Sequence, residues 1–396
     1  MPKMVFSNKP LESCYGCSAC QQVCAHQAIQ MVSNEEGFLY PVINNEKCVD
    51  CGLCTKVCPT QTSNILPLFN PTPEIVYAAW EKQINDRLES TSGGAFFALA
   101  SKVINKGGVV YGVTYDSNLL ARHQRIDNIE DLKKSRGSKY MQSNINTTYR
   151  QAKKDLQEGL SVLFSGTPCQ IAGLKLFLRK EYPNLFTIDL VCHGVPSPAL
   201  FKDHVAWIEK KYGKKMIDFK FRAKKESGWR SYVKYYFEDY ATDTLFLGED
   251  YYSHAFHQGY FSRKSCFECE FSKAQRIADI TLSDFWNGEK YSRILKKQRK
   301  YGFNLIMCNT SKGRELMKES SINLELLEMP VKAAIEGDVR LRHTEKCPSF
   351  RESSYKMWKE NGYEYMVNNY SSKNTLVQKM LPTWVKNIIR EIQSIL

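Results

Sequence analysis

No run of apolar residues in this chain reaches the length of a bilayer span, which excludes a membrane protein built of spanning helices. The opening residues, Met1-Pro2-Lys3-Met4-Val5-Phe6-Ser7-Asn8-Lys9, hold no basic segment followed by an apolar one, so no secretory signal is expected. There is no long block of one charge either. The formal net charge is +13, yet the positives are scattered, and groups such as Lys210-Lys211 and Lys296-Lys297-Gln298-Arg299-Lys300 are short. Nucleic-acid binding is therefore not expected. No internal repeat of solenoid length occurs, which removes repeat architectures.

What the chain does have is cysteine in a strict pattern. Eight fall in the first 58 residues, as Cys14-x2-Cys17-x2-Cys20-x3-Cys24 and Cys48-x2-Cys51-x2-Cys54-x3-Cys58, the second followed by Pro59. This is the spacing of bacterial two-cluster ferredoxins, in which three thiolates wrap one 4Fe-4S cubane and the fourth ligates the other. Cluster one should use Cys14, Cys17, Cys20 and Cys58, and cluster two Cys48, Cys51, Cys54 and Cys24. Zinc would leave the third and fourth cysteine of each run unused, and disulfides need an oxidising compartment that nothing indicates. A soluble, cytoplasmic protein of an anaerobic cell is expected. Each oxidised cubane carries about −2 with its thiolates, which offsets part of the basic excess. The remaining positive surface is either simply solvated or suited to an acidic redox partner such as a ferredoxin.

At 396 residues the chain exceeds one ordinary core. The spacing predicts a ferredoxin-like domain over residues 1–66, an α/β domain over 74–350 and a helical tail over 351–396. Residues 61–73 hold three prolines and read as a linker. Beyond it, Ile75 to Trp80 has strand composition, and Gly93-Gly94 precedes a helix with Phe96, Phe97, Leu99, Ala100, Val103 and Ile104 on its apolar face. Strands are predicted at Val109–Val113, Ser161–Phe164 and Leu185–Val191, with helices over about 147–158 and after Pro168. Strands alternating with helices imply an α/β fold with a parallel sheet. Tyr232–Phe237 and Thr244–Leu247 read as an antiparallel hairpin. The last stretch, Leu381 to Leu396, has Trp384, Val385, Ile388, Ile389, Ile392 and Ile395 at helical spacing; such a helix can lie on a membrane surface or pack on its own domain or a partner chain.

Four further cysteines sit where chemistry would place them. Cys169 opens a helix after one strand and Cys192 ends another, so both belong at the carboxyl edge of a parallel sheet, where ligands collect. Cys266-x2-Cys269 supplies a second pair. Together they make a four-thiolate site for a third 4Fe-4S cluster or for zinc, unless Cys169 and Cys192 are ordinary buried thiols. Cys308 and Cys347 default to structure. The turns Gly166-Thr167-Pro168 and Thr91-Ser92-Gly93-Gly94 can bring backbone N–H groups to a phosphate, or serve only as tight turns into helices. Two such turns beside one-electron clusters favour a flavin, which exchanges electron pairs with organic substrates and single electrons with clusters.

These segments, taken in order, resemble a known family. Thr91-Ser92-Gly93-Gly94, Arg136-Gly137-Ser138-Lys139-Tyr140-Met141-Gln142-Ser143, Phe164-Ser165-Gly166-Thr167-Pro168-Cys169-Gln170, Asp189-Leu190-Val191-Cys192-His193-Gly194 and Cys266-x2-Cys269 with Ala278-Asp279-Ile280-Thr281 are similar to the coenzyme F-420 hydrogenase/dehydrogenase beta-subunit family, in a version with an N-terminal two-cluster ferredoxin domain. The resemblance spans nearly all of residues 10 to 350. It departs at Ser283-Asp284-Phe285-Trp286, where glycine is expected at 283. Members of the family are flavin and iron-sulfur oxidoreductases, including deazaflavin-reducing hydrogenase subunits and a plant chlorophyll-derivative reductase. The resemblance implies FAD near Ser92, Gly93, Gly94, Ser138, Lys139, Tyr140, Gly166 and Thr167, and a third cluster on Cys169, Cys192, Cys266 and Cys269.

The function this implies is an iron-sulfur flavoprotein oxidoreductase passing single electrons through 4Fe-4S clusters to or from FAD, which acts on a small organic substrate or a deazaflavin. The competing reading is an electron-transfer subunit of a larger redox complex with no substrate of its own. Lys139 would meet a flavin phosphate or cap a surface turn. His193, beside Cys192, would donate a proton near the flavin or hydrogen-bond in support of the site. Expected partners are a ferredoxin or another oxidoreductase subunit, with a second copy of the chain also compatible.

Overall fold

The computed structural model describes residues 9–225 and 228–380. Its N-terminal unit is ferredoxin-like. Strand β1 (Ile29–Ser33) pairs antiparallel with β2 (Leu39–Ile43), Ile29 opposite Ile43. Short helices, Ala19–Val23 and Leu53–Lys56, follow the two cysteine loops. The equal spacing of the runs produces equal backbones: Gly16 and Asp50, each two residues after the first cysteine, have φ of 67° and 55°. Ser18 and Gly52, each one after the second cysteine, have φ of 60° and 69°. Left-handed residues at these points curl each loop around a common centre.

The large sheet gathers β3 (Ile75–Glu81), β4 (Val109–Tyr115), β5 (Ala121–Ile126), β6 (Val162–Gly166) and β7 (Leu185–Leu190). After the separate three-stranded sheet of β8 (Met216–Lys225), β9 (Gly228–Phe237) and β10 (Thr242–Phe246), the chain returns with β11 (Ile280–Asp284), β12 (Asn304–Cys308) and β13 (Leu324–Met329). The order is β13-β3-β12-β11-β7-β6-β4-β5. The α/β class stands, but the sheet is mixed instead of parallel throughout. Only β4, β6, β7 and β11 run parallel to their mutual neighbours. Helix Pro168–Leu178 provides a full crossover between β6 and β7, whereas β4 and β5 are joined by a short turn that leaves only an antiparallel return. In that turn Asp116 Oδ1 accepts from the N–H groups of Asn118 and Leu120 at 2.8 and 2.9 Å. The predicted hairpin forms as β9 and β10, Thr242 opposite Tyr236.

The segment expected to be a linker is folded and docked. It contains helix Thr62–Ile65, buries Ile65, and anchors Asn70 on the carbonyls of Arg276 and Ala278 at 3.0 and 3.2 Å. Tyr15, Cys17, Ala19, Val57 and Ile65 share one apolar cluster with Tyr111, Tyr149, Phe164, Ile171 and Phe177 of the sheet domain. A second cluster joins Phe38 and Tyr40 to Phe201, Phe219, Tyr235 and Tyr252 and to Tyr355, Trp358 and Tyr363 of helix Arg351–Met380. That helix is interrupted at Gly362, where φ is 78°. The ferredoxin unit is thus built into the core on two sides. No helix among the described residues is long and apolar enough to cross a membrane. The amphipathic stretch Leu381 to Leu396 lies outside the described residues.

Candidate functional site

The thiols of Cys14, Cys17, Cys20 and Cys58 face one another. Burial, then the neighbouring thiols, push Cys17 and Cys20 well above the usual range, and Cys58 rises to about 11. Cys54 in turn is influenced by Cys48 and Cys51. Donors already point at several sulfurs: Gly16 N–H to Cys14 Sγ at 3.3 Å, Ala28 N–H to Cys24 Sγ at 3.4 Å, and the Thr60 hydroxyl 2.9 Å from Cys58 Sγ. The Cys14 end of the unit is buried, while Cys51 is exposed.

The four later cysteines meet at the carboxyl edge of the parallel strands. Gly166 of β6 lies opposite Asp189 of β7, so Cys169, in the first turn after β6, and Cys192, just beyond β7, emerge side by side. Thr167 caps the helix, accepting at its start and donating its N–H to Gln170 Oε1 at 3.0 Å, with Pro168 in the first turn. The loop carrying Cys266 and Cys269 folds over them, tied down by Arg263 N–H to Val195 O at 3.0 Å and by the pairing of Pro196 with Ser262. All four cysteines line one cavity with Tyr15, Thr167, Gly194 and Arg263. Gly194 takes φ 100°, a conformation that favours glycine, and a β-carbon there would only touch Cys266 Cβ at 3.4 Å.

The Thr167 hydroxyl is 3.1 Å from Cys169 Sγ, and the backbone N–H groups of Gly194, Val195 and Phe271 act against the rise in pKa of Cys192, Cys266 and Cys269. Burial raises Cys192 to about 11 and Cys266 to about 12. Among the described residues no three His, Cys, Asp or Glu side chains close around a single ion. That holds for the N-terminal runs as well. Four converging thiols are the donor set of a 4Fe-4S cluster or of zinc.

A second cavity, of about 560 Å³, opens between the β8–β9 hairpin and the loops at Thr91 and Gly137. Lys133, Lys134, Arg136, Lys139, Lys220, Arg222, Lys224 and Lys234 line it against only Glu89 and Asp218. Ser138 N–H donates to Thr91 Oγ1 at 2.6 Å, which joins two of the motif loops. Burial depresses Lys139 to about 8 and Lys224 to about 7. Among the described residues, Arg136 Nε and Arg222 Nε and Nη2 are buried without an acceptor. Arg136 pairs with Asp86 and Arg222 with Asp284 at 3.0 Å, but their remaining buried donors among this many cations fit an anionic ligand such as the pyrophosphate of a dinucleotide.

The predicted flavin residues divide between places. Ser138 and Lys139 line the basic cavity. Tyr140 lies behind it, stacked on Phe256 at 4.5 Å, with its hydroxyl 3.3 Å from Arg222. Ser92, Gly93 and Gly94 are spent on the fold: Ser92 Oγ donates to Phe303 O at 2.8 Å, a β-carbon on Gly93 would lie 2.3 Å from Ala79 O, and Gly94 starts helix Ala95–Asn105 at φ 92°. Thr167 lines the cysteine cavity instead, and Gly166, at the end of β6, packs against Gln170 and His123. His193 is held at 3.1 Å from the buried carboxylate of Asp338. Sequence reasoning passed over Arg263 and the cations of β8. Lys220, Arg222 and Lys224 alternate with Phe219, Phe221 and Ala223, a two-residue period that marked one charged strand face. Where glycine was expected, Ser283 sits within β11, its carbonyl accepting from Asn304 at 3.2 Å.

Two linked ferredoxin-type loops built into a mixed α/β domain define an iron-sulfur protein of the electron-transfer class. Residues 13–62 match the 4Fe-4S dicluster domain. Residues 159–332 match the C-terminal region of the coenzyme F420 hydrogenase/dehydrogenase beta subunit. The resemblance read from the motifs is therefore correct. No curated protein matches the chain in sequence. Among solved structures, a chain from the F420-reducing [NiFe] hydrogenase complex of Methanosarcina barkeri aligns at 18% identity and a TM-score of 0.47, over 74% of this chain and 92% of that one.

Proposed function

We propose that this protein is an iron-sulfur flavoprotein oxidoreductase with three 4Fe-4S clusters and FAD, acting on a small organic substrate or a deazaflavin. The observation that carries the reading is continuity: Tyr15, between the cluster ligands Cys14 and Cys17, also lines the cavity of Cys169, Cys192, Cys266 and Cys269. When bound, the clusters would supply one-electron steps and the flavin would convert them to two-electron chemistry. Cys51, exposed at the far end, marks the side from which a partner protein would deliver or collect electrons.

The chain's own residues have definable parts. Cys169, Cys192, Cys266 and Cys269 would hold the third cluster, and their N–H and hydroxyl donors would stabilise its negative charge. Thr91, Ser138, Lys139 and Arg136 would orient the FAD phosphates with Lys224 and Arg222 from the facing strand. Asp338 fixes the ring of His193 beside Cys192, so that one imidazole nitrogen remains for proton exchange with solvent or substrate. Anaerobic protein should contain about twelve irons per chain and one flavin. Protein reconstituted with iron and sulfide that holds about eight irons and no flavin would refute the reading.

A further inference from the structure

Arg263 is one of the most deeply buried side chains, only 1% exposed, and among the described residues no carboxylate pairs with it. Its Nε donates to Cys14 O at 2.6 Å, Nη1 to Gln142 Oε1 at 2.9 Å and Nη2 to Leu39 O at 3.0 Å. The guanidinium lies over the ring of Tyr40 at 4.1 Å and near that of Phe38 at 5.2 Å. All its partners are neutral. Three other arginines buried nearby are different: Arg276 pairs with Asp189 at 3.3 Å, Arg340 with Glu345 at 2.8 Å and Arg351 with Glu36 at 2.6 Å.

A buried cation without a counter-charge costs several kcal/mol, and carbonyls and ring faces offset only part of that. The chain nevertheless makes room for it. Gly16, at φ 67°, would place a β-carbon 2.9 Å from Arg263 Nη1, so the absence of a side chain there admits the guanidinium. The position is particular. Arg263 bonds the carbonyl of Cys14, a ligand of the first N-terminal cluster, and lines the cavity of Cys169, Cys192, Cys266 and Cys269. The missing negative charge is supplied on both sides once clusters are present, since each cubane with its thiolates is a net anion that gains a further charge on reduction.

We propose that Arg263 is the fixed counter-charge shared by the Cys14/Cys17/Cys20/Cys58 cluster and the Cys169/Cys192/Cys266/Cys269 cluster, holding the reduction potentials of both up together. This rests on the three-cluster reading for its second half and on the dicluster domain alone for its first. A cation in low dielectric stabilises the reduced, more negative form of each neighbouring cluster. Arg263 makes no hydrogen bond to Cys48, Cys51 or Cys54, at the exposed end.

The test is an EPR-monitored redox titration of the anaerobic full chain as wild type, R263K, R263Q and Q142E. R263Q should lower two midpoints, cutting the reduced fraction of those clusters roughly tenfold at a fixed potential, and leave the Cys48/Cys51/Cys54 cluster unmoved. R263K keeps the charge without the planar fork and should titrate near wild type. Q142E gives the guanidinium the carboxylate it lacks, at the loss of the Gln142 Nε2 bond to Tyr15 O at 2.8 Å; it should shift the same two midpoints downward, and it decides the matter if R263Q does not assemble. Unchanged midpoints in Q142E and in any assembled R263Q, or a shift in R263K as large as in R263Q, would overturn the proposal. An iron content of about eight in wild type would instead show that the third-cluster reading had failed, with the Cys14 cluster alone still reporting on Arg263.

Discussion

Gly173 packs directly on Cys17: a β-carbon at residue 173 would lie 2.9 Å from Cys17 Sγ and 3.0 Å from Tyr149 Oη. The glycine sits within helix Pro168–Leu178, where alanine would ordinarily be preferred by about 1 kcal/mol. It is the point at which the crossover helix behind Cys169 meets the ferredoxin loop. Gly173→Ala should therefore destabilise by about 1–3 kcal/mol despite its better helix propensity, and should disturb the Cys17 cluster first. Thermal unfolding together with the EPR spectrum of reduced protein measures both; a variant more stable than wild type with an unaltered spectrum would count against this packing.

Interleaved ligation predicts crossed damage. Cys24→Ala should impair the cluster of Cys48, Cys51 and Cys54, and Cys58→Ala the cluster of Cys14, Cys17 and Cys20. Since Cys58 is buried and Cys24 half-buried, Cys58→Ala should also lower the melting temperature more. Mössbauer or EPR spectra of the two variants distinguish crossed from uncrossed loss.

For the third site, Cys266→Ser and Cys169→Ser should each reduce iron from about twelve to about eight per chain, with both N-terminal clusters retained. Zinc in place of the missing iron in wild-type protein, or unchanged iron in both variants, would remove the cluster assigned to these four residues.

The basic cavity carries a pH signature. Lys224 titrates at about 7 and Lys139 at about 8, both lowered chiefly by burial. Arg87 and Arg222 oppose the charge of Lys224 while Asp284 and Glu89 favour it; Asp218 favours and Lys220 opposes that of Lys139. Below these values both lysines are charged before an anion arrives. Above them, each proton must be taken up on binding, so affinity for ADP or pyrophosphate should fall as pH rises from about 7 to 9. Lys224→Met should weaken binding at pH 6 by roughly tenfold or more and flatten the dependence between pH 7 and 8, as titration calorimetry would show. Equal affinity at pH 6 and pH 9 in wild type would contradict a phosphate role for these lysines.

What could be read without the fold was local. Thiolate ligation of a cubane depends on two- and three-residue spacings, so the runs at Cys14 and Cys48 were legible, and the matched left-handed residues at Gly16, Asp50, Ser18 and Gly52 follow from that same spacing. The alternation around β6 and β7 likewise placed Cys169 and Cys192 at strand ends. The phosphate turns misled in part, because nothing near Ser92 and Gly93 reveals that Phe303 and Asn304, some 210 residues away, take up their bonding capacity and space.

The amino-acid sequence by itself determined the two-cluster loops, the α/β class and the family resemblance, since each is written in short-range periodicity and ordered motifs. Tertiary structure alone decided which long-range groups share a site. It set β11 beside β7, folded Cys266 and Cys269 over Cys169 and Cys192, and turned the proline-rich segment after Cys58 into a docked seam. It also aligned the cations of β8 with the loop at Gly137 and buried Arg263 between two thiolate sets. Those outcomes depend on strand order and on the burial of charge against distant partners, energies that no local window of sequence contains.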